Sequence, residues 1–511
     1  MLLAELAEAS GAVAKTSSRL QKIELLATCL ARLRPDEVPV AVAYLSGGLP
    51  HGRIGVGWAS LRKLPPPSPP PPTLELLDVD AAFRRMGGFA GNGSQTERKR
   101  ELTELFGRTT EGERTFLLRL LSGEIRQGAL EGVMVEAIAR AVSVPATAVR
   151  RALMVAGNLG EVATAALAEG EEGLARFRLR LLTPLQPMLA QTAEALDDAF
   201  ARIGPAGVEW KLDGARIQAH RLRDEVRVFT RNLADASHRA PEVAEVIAAL
   251  PVDSIVLDGE AIALRADGRP HPFQVTMSRF GSRVGVEELR ATTPLSCFFF
   301  DCLHVDGTDL LDLPAAERRG VLEQRLPEEL CVPRIVAETA GEAGRFLDEA
   351  LERGHEGVMV KALDAPYEAG RRGAGWLKVK RAVTLDLVVL AAEWGHGRRE
   401  GWLSNLHLGA RDPSTGGFVM LGKTFKGMTD EMLRWQTERF LELETHREGI
   451  VVHVRPELVV EVAFDGLQAS TRYPGGLALR FARVKGYRPD KRADEADTID
   501  TVRALHQAST T

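Results

Sequence analysis

Two hydrophobic periods divide the chain. From residue 1 to about 175, apolar residues recur at the spacing of amphipathic helices. ERTFLLRLLSGEIRQGALEGVMVEAIARAV, 113–142, predicts helices broken near Gly123 and Gly128. SVPATAVRRALMVAG, 143–157, predicts a capped helix with Ser143 at the cap, Pro145 in the first turn and Gly157 past the end. Inside this region LPPPSPPPPT, 64–73, sets seven prolines around one serine. Such a run is neither helix nor central strand, and it predicts a stiff polyproline II connector. A spacer is the first reading; docking of a protein partner is the second.

From about residue 180 the period shortens. LLTPLQPMLAQTA is a proline-punctuated entry, and short β-like runs follow: VEWKLDG, EVRVFT, SIVLDGEAIAL, LSCFFFDCLHV, EGVMVKAL and WLKVKR. Helical patterns at 240–250, 314–325 and 341–354 separate some of them, which predicts a mixed α+β domain. After KRAVTLDLVVLAAEWG the runs shorten again and glycines rise, in NLHLGARD, FVMLGKTF and VVHVRPELVVEVAF, with one helix at about 429–445. A small β-barrel suits that pattern. The expected boundaries are 1–178, 179–383 and 384–511.

Composition narrows the class. A chain of 511 residues exceeds one core, so two to four domains are expected. The 45% hydrophobic and 26% charged fractions are ordinary for a soluble protein. No window nears 18 uninterrupted apolar residues, so no membrane span is expected. The N-terminus lacks the basic region of a signal peptide. Four scattered cysteines, Cys29, Cys297, Cys302 and Cys331, suit a reducing cytoplasm and supply no zinc framework. A net charge of -5 argues against wholesale polyanion binding but leaves room for a local basic groove.

The chemistry starts at GVEWKLDGARIQAHR, 207–221. Alternation predicts a strand with Glu209, Lys211 and Asp213 on one face, Trp210 and Leu212 on the other, and its end at Gly214. A lysine on a half-buried face needs a reason. In GWLKVKR, Trp376, Lys378 and Lys380 share a face, and two adjacent lysines are tolerated where an anion sits. Carboxylates stand at Glu260 and Glu356, and Phe300 precedes Asp301. These make a coherent set. A free lysine, with a pKa near about 10.4, is protonated at neutral pH. Burial and the charges of Lys378 and Lys380 are expected to lower that value while holding a polyphosphate. Glu260 and Glu356 suit Mg²⁺ (or Mn²⁺). Phe300 suits a purine, and Lys211 suits attack on an α-phosphate.

Seven ordered segments then resemble the covalent nucleotidyltransferases, and among them the archaeal-type ATP-dependent DNA ligases. They are KLDGAR 211–216, FTRN 229–232, LDGE 257–260, FFFDCLHVDG 298–307, EGVMVK 356–361, WLKVK 376–380, and LRFARVKGYRPDKRADEADT 479–498, which carries R-x-D-K at Arg488, Asp490 and Lys491. GEIRQGALEGVM and PMLA, 187–190, resemble the DNA-binding domain and entry segment of that family. The resemblance implies a multidomain α and α+β protein. Its parts are an all-helical DNA-binding domain, an ATP-grasp-like α+β adenylyltransferase domain and a C-terminal OB-fold β-barrel. It implies a cytoplasmic, nucleoid-associated monomer that seals nicks in double-stranded DNA with ATP and Mg²⁺. Residue by residue, it implies that Lys211 is adenylated and that Glu209 reads the adenine amino group. Arg216 and Arg231 contact ribose and DNA phosphates. Glu260 and Glu356 hold ribose or metal. Phe300 stacks on adenine, with Trp376 packed nearby. Lys378 and Lys380 hold the α-phosphate, and Asp213 helps position the 3′-hydroxyl. Arg488 and Lys491 orient the leaving pyrophosphate, and Asp386 lies at the pivot of a hinge within 380–389. An RNA ligase, an mRNA-capping-type nucleotidyltransferase and a non-catalytic DNA-end-binding scaffold remain as alternatives.

DNA contact is expected where basic residues outnumber acids. Between 472 and 492, Arg472, Arg480, Arg483, Lys485, Arg488, Lys491 and Arg492 face one acid, Asp490. Arg98, Lys99 and Arg100 form a second cluster, and Arg126, Gly128 and Gly132 suit close approach to a phosphate.

Overall fold

The computed structural model describes the chain except residues 53, 62–63, 68–70, 92, 126–130, 283, 370–371, 381–382 and 511, and the side chains at 58–59, 372–374 and 508–510. Among the described residues, ten helices between Leu3 and Ala175 pack around one apolar core running from Leu3 to Leu174. Leu61 and Leu74, on either side of the proline run, belong to that same core. Leu64–Pro67 and Pro71–Thr73 form neither helix nor strand, as expected, and both ends of the run return to that one core; residues 68–70 lie outside the described residues. The helix predicted after Ser143 runs Ala146–Ala156 and is preceded by Pro145 at its cap position, so the start shifts by two residues. Gly157 ends it in the left-handed conformation, as expected.

The middle of the chain holds two five-stranded sheets. The first orders Leu189–Thr192, Arg372–Lys380, Gly357–Ala362, Ala206–Trp210 and Arg334–Ala337. Its outermost pair, 189–192 with 372–380, is parallel and the others are antiparallel. The second sheet is antiparallel throughout and orders Glu225–Thr230, Ala215–Leu222, Ser254–Ala263, Leu295–Val305 and Thr308–Asp309. Their strands follow the apolar runs closely because burial on at least one face demands the alternation that the sequence shows. The sequence reading did not single out helices Leu196–Ile203, Phe273–Gly281 and Val286–Thr292, although Leu196, Ala199, Phe200 and Ile203 keep helical spacing in the first.

The segment 207–221 departs from its expectation. Its first strand stops at Trp210, four residues before Gly214, and a new strand in the other sheet begins at Ala215. Lys211 to Gly214 is the crossover between the sheets. Gly214 is needed there for contact: a Cβ on it would lie 2.4 Å from the carbonyl oxygen of Ala261.

The C-terminal region builds a seven-stranded antiparallel sheet from strands between Val383 and Tyr487, crossed by the helix Asp430–Glu442. A separate hairpin joins Gly466–Ala469 to Leu477–Arg480, and a helix, Ile499–Thr510, closes the chain. Asp386 lies within the strand Val383–Trp394, opposite Glu461, and its backbone N–H donates to Asp497 at 2.8 Å. In this conformation it is a residue of the strand ladder. The two residues between this strand and Lys380, 381–382, lie outside the described residues. Among the described residues no helix is long and apolar enough to cross a membrane.

Candidate active site

The crossover brings Lys211 against the strand that starts at Gly357. The Lys211 N–H donates to the Gly357 carbonyl at 2.9 Å, and the Glu356 N–H donates to the Lys211 carbonyl at 3.1 Å. Gly357, at φ +143°, permits this approach; a Cβ there would lie 2.3 Å from the Val379 carbonyl oxygen. This backbone pairing sets the Lys211 ammonium directly on the Glu356 carboxylate. Lys380 donates to the other Glu356 oxygen at 2.7 Å, and Lys378 lies two residues away on the same strand.

The electrostatics differ from the expectation. Burial works to lower the Lys211 pKa, but Glu356, with Glu260 and Asp213 behind it, outweighs burial and holds the value above the ordinary lysine range. In this conformation the amine is stored as an ammonium, not freed by Lys378 and Lys380. Burial also works to raise the Glu356 pKa, but Lys211 and Lys380 hold it low. Burial pushes Glu260 up to about 7. Asp213 is raised as well, by burial and then by the charge of Glu356. Three carboxylates, Glu356, Glu260 and Asp213, thus act on Lys211, and two of them are held toward their neutral forms. Hard oxygen donors of this kind fit a divalent cation such as Mg²⁺.

A second layer lies beneath. Arg216 forms a two-pronged pair with buried Asp258 at 2.9 and 2.5 Å and donates to the Met188 carbonyl at 2.6 Å. Tyr367 donates to Asp258 at 2.6 Å. The Arg216 guanidinium stands 5.5 Å from the Phe300 ring centroid and 5.6 Å from that of Trp376. The two rings meet edge to face at 5.8 Å. Lys361, opposite Trp376 in the sheet register, points its ammonium at both rings, 4.5 and 4.3 Å from their centroids. Burial lowers the Lys361 pKa. Glu209 is buried and pairs with Lys361 at 2.5 Å. Beside Phe300, Asp301 holds the fully buried Arg318 at 2.8 and 3.0 Å.

The sequence reading did not single out Lys361, Tyr367 or Arg318. Lys361 closes the alternating run GVMVK, but only the pairing register shows it opposite Trp376. Arg318 falls within the helical pattern 314–325, where nothing distinguishes it from its neighbours, and Tyr367 lies in no patterned segment.

The C-terminal domain reaches this cleft through residues other than those expected. Asp465 accepts from Lys380 at 3.3 Å, and Arg480 donates to Asp213 at 3.4 Å while its guanidinium lies 4.4 Å from the Phe273 ring centroid. Arg488 and Lys491 are instead bound to Asp386 at 3.0 and 2.6 Å, within their own domain. Arg231 lies in an exposed turn after the strand Glu225–Thr230. The basic stretch 472–492 is largely neutralised: Arg480, Arg483, Arg488, Lys491 and Arg492 all pair with carboxylates. Arg98 turns inward to the Met86 carbonyl, and Arg100 pairs with Glu97. Arg126 and Gly128 lie outside the described residues, and Gly132 sits in the helix Glu131–Ala141.

A lysine among carboxylates and lysines, at a cleft that two domains close, is the equipment of a covalent group-transfer enzyme acting on phosphates. Family models place it further. The ATP dependent DNA ligase domain matches residues 187–380, the ATP dependent DNA ligase C terminal region matches 399–491, and the DNA ligase N terminus matches 59–139. A "Probable DNA ligase" of Anaeromyxobacter sp. (strain K) is 61% identical over 511 residues, covering 99% of this chain and 100% of that one. A "Probable DNA ligase" of Sorangium cellulosum (strain So ce56) is 57% identical over 509 residues, covering 99% and 95%. The solved structure Pmar-Lig_PreS3, at 19% identity and a TM-score of 0.63, shares the fold over 94% of this chain and 99% of its own. The chain belongs to the ATP-dependent DNA ligase family, enzymes that join DNA at the expense of ATP.

Proposed function

We propose that this protein seals nicks in duplex DNA through an adenylate carried on Lys211. The observation that supports this reading is the junction at Lys211, where a strand lysine, three carboxylates and two side chains of the C-terminal domain meet. In the first step the Lys211 ammonium gives up one proton, its amine bonds to the α-phosphorus of ATP, the bond to pyrophosphate breaks, and a second proton leaves the nitrogen, which keeps one N–H in the phosphoramidate. In the second, a 5′-phosphate oxygen at the nick takes the adenylate and the lysine leaves. In the third, the 3′-hydroxyl attacks that phosphate and AMP departs. Each step is displacement at phosphorus, so alignment and neutralisation of charge supply most of the rate.

Because Glu356 keeps Lys211 protonated, the pair must loosen before attack. Lys380, already on Glu356, exchanges that carboxylate for a phosphate oxygen, with Lys378 beside it. Arg216 and Trp376 hold Phe300 as a platform for adenine, and Glu209 is placed to accept from its amino group once Lys361 yields. Glu260 and Glu356 would hold Mg²⁺, which neutralises charge on the transferring phosphate. Asp213 positions the 3′-hydroxyl after Arg480 releases it. Arg231 contacts DNA phosphate from its exposed turn. Arg488 and Lys491 reach pyrophosphate only after parting from Asp386.

The division that suits these roles is a helical DNA-binding domain over 1–178, an adenylyltransferase domain over 179–383 and an OB-fold domain over 384–511. We place the enzyme in the cytoplasm on the nucleoid. The test is incubation with labelled ATP and Mg²⁺, followed by peptide mapping and a nick-sealing assay. An AMP adduct on Lys211 that chases onto nicked duplex supports the proposal. No adduct, or an adduct that moves only to RNA ends, overturns it.

A further inference from the structure

Away from the cleft, the hairpin formed by Glu444–Glu448 and Val451–Val454 carries a cluster that ligation chemistry does not use. His446 and His453 face each other across the strands, with their rings stacked 4.2 Å apart and 7° from parallel. Glu448 lies one alternation further along the same face, with its Oε1 3.8 Å from His446 Nε2 and its Oε2 3.8 Å from His453 Nε2. The three ligating atoms lie within 4.8 Å of one another. A separation of 3.8 Å is too long for a hydrogen bond. It is close to what a cation needs: bonds of about 2.0–2.2 Å put tetrahedral ligand atoms roughly 3.3–3.5 Å apart.

The backbone and a neighbouring hydroxyl prepare this arrangement. Cross-strand residues hold their Cβ atoms close, so the imidazoles are brought together by register rather than by long flexible stems. Thr445 donates its hydroxyl proton to the His453 carbonyl at 3.2 Å, and its oxygen lies 3.2 Å from His446 Nδ1. With that proton committed, the oxygen accepts from Nδ1–H, which leaves the Nε2 lone pair facing Glu448. Nearby Glu393 cannot join, since it already holds His407, Lys423 and Asn405.

We propose that His446, Glu448 and His453 bind a divalent transition-metal ion, with Zn²⁺ as occupant and water completing its shell. Two imidazoles and one carboxylate suit Zn²⁺ and other late first-row ions and are a poor match for Mg²⁺. The ion would clamp the edge strand 444–448 to its neighbour, on a domain that has to move as a rigid body.

The full-length protein, in buffer containing Mg²⁺ to fill hard-oxygen sites, is titrated with Zn²⁺ by calorimetry. One Zn²⁺ per chain is expected, with affinity falling about 100-fold or more in His446→Ala and His453→Ala. Glu448→Gln weakens it too. Without Zn²⁺ the variants melt with the wild type, and only the wild type gains melting temperature when Zn²⁺ is added. A wild type that neither binds Zn²⁺ nor gains stability, or alanine variants that bind as it does, overturns the site. Either result leaves the Lys211 adduct untouched.

Discussion

Two sets of charges lie one above the other in this protein, and they are built differently. The deep set pairs Arg318 with Asp301, Arg216 with Asp258 and Tyr367, and Lys361 with Glu209. Arg318 is fully buried and spends its remaining donors on the Leu313 and Ala365 carbonyls. The shallow set joins Lys211, Lys380, Glu356, Asp213, Asp465 and Arg480, whose side chains keep between 12% and 28% of their exposure. Two of its pairs, Lys380 with Asp465 and Arg480 with Asp213, cross from one domain to another. The deep Arg318 and Arg216 pairs use forked guanidiniums, so they hold shape. The shallow pairs use mainly lysines and single contacts, which a phosphate or a cation can replace. Scaffold and exchangeable contacts are thus separated by depth.

The comparison breaks first at the nucleophile. Lys211→Ala should abolish the enzyme–AMP adduct while the melting temperature stays near wild type, read by mass spectrometry and calorimetry together. An adduct that survives would move the nucleophile elsewhere. Next comes the deep set. Arg318→Ala strands Asp301 without its partner and should cost about 3–5 kcal/mol in urea unfolding. Asp465→Ala should cost only about 0–1 kcal/mol yet change the adenylation rate. Equal stability losses in the two variants would erase the distinction between layers.

Glu393 offers an intermediate case in the C-terminal domain. Burial works to raise its pKa, but hydrogen bonds from Lys423, His407 and Asn405 hold it down to about 2, against the usual 4.5. A carboxylate with a depressed folded pKa stabilises the fold above its unfolded value and loses that contribution as pH falls. Glu393→Gln should therefore be less stable by about 1–3 kcal/mol at neutral pH. The two curves should converge as pH drops from 4.5 toward 2.

The smallest effects are shifts along the pH axis. Because the Lys211 pKa is raised, the deprotonated amine grows with pH, and single-turnover adenylation should climb through neutrality. Arg480→Ala, which unmasks Asp213, should move that limb further toward alkaline pH; no movement would uncouple the domain contact from the amine. Glu260, held near 7, must lose its proton to take Mg²⁺, so apparent Mg²⁺ affinity should weaken as pH falls below about 7 and flatten in Glu260→Gln.

Much of the fold was legible because the pattern that predicts an element is the pattern that buries it. The strands Glu225–Thr230 and Leu295–Val305 coincide with their apolar runs. The run through Lys211 misled because Leu212 continues the alternation after the chain has changed sheets; it packs with Ile262 and Val332 rather than with the core of the first sheet. Asp386 is expected at a hinge from the family resemblance alone, and its pairing opposite Glu461 in the strand ladder is a tertiary fact that the sequence does not carry.

By itself the sequence determined the elements, the order of the motifs and the identity of the groups that carry the chemistry, since these depend on local periodicity and on residue type. Tertiary structure alone decided who neutralises whom. Glu356 stands 145 positions from Lys211, and Asp213 stands 267 positions from Arg480. Coulomb energy depends on separation in space and on depth from water, and neither can be read along a chain. For that reason the sequence singled out the lysine while the fold set its proton.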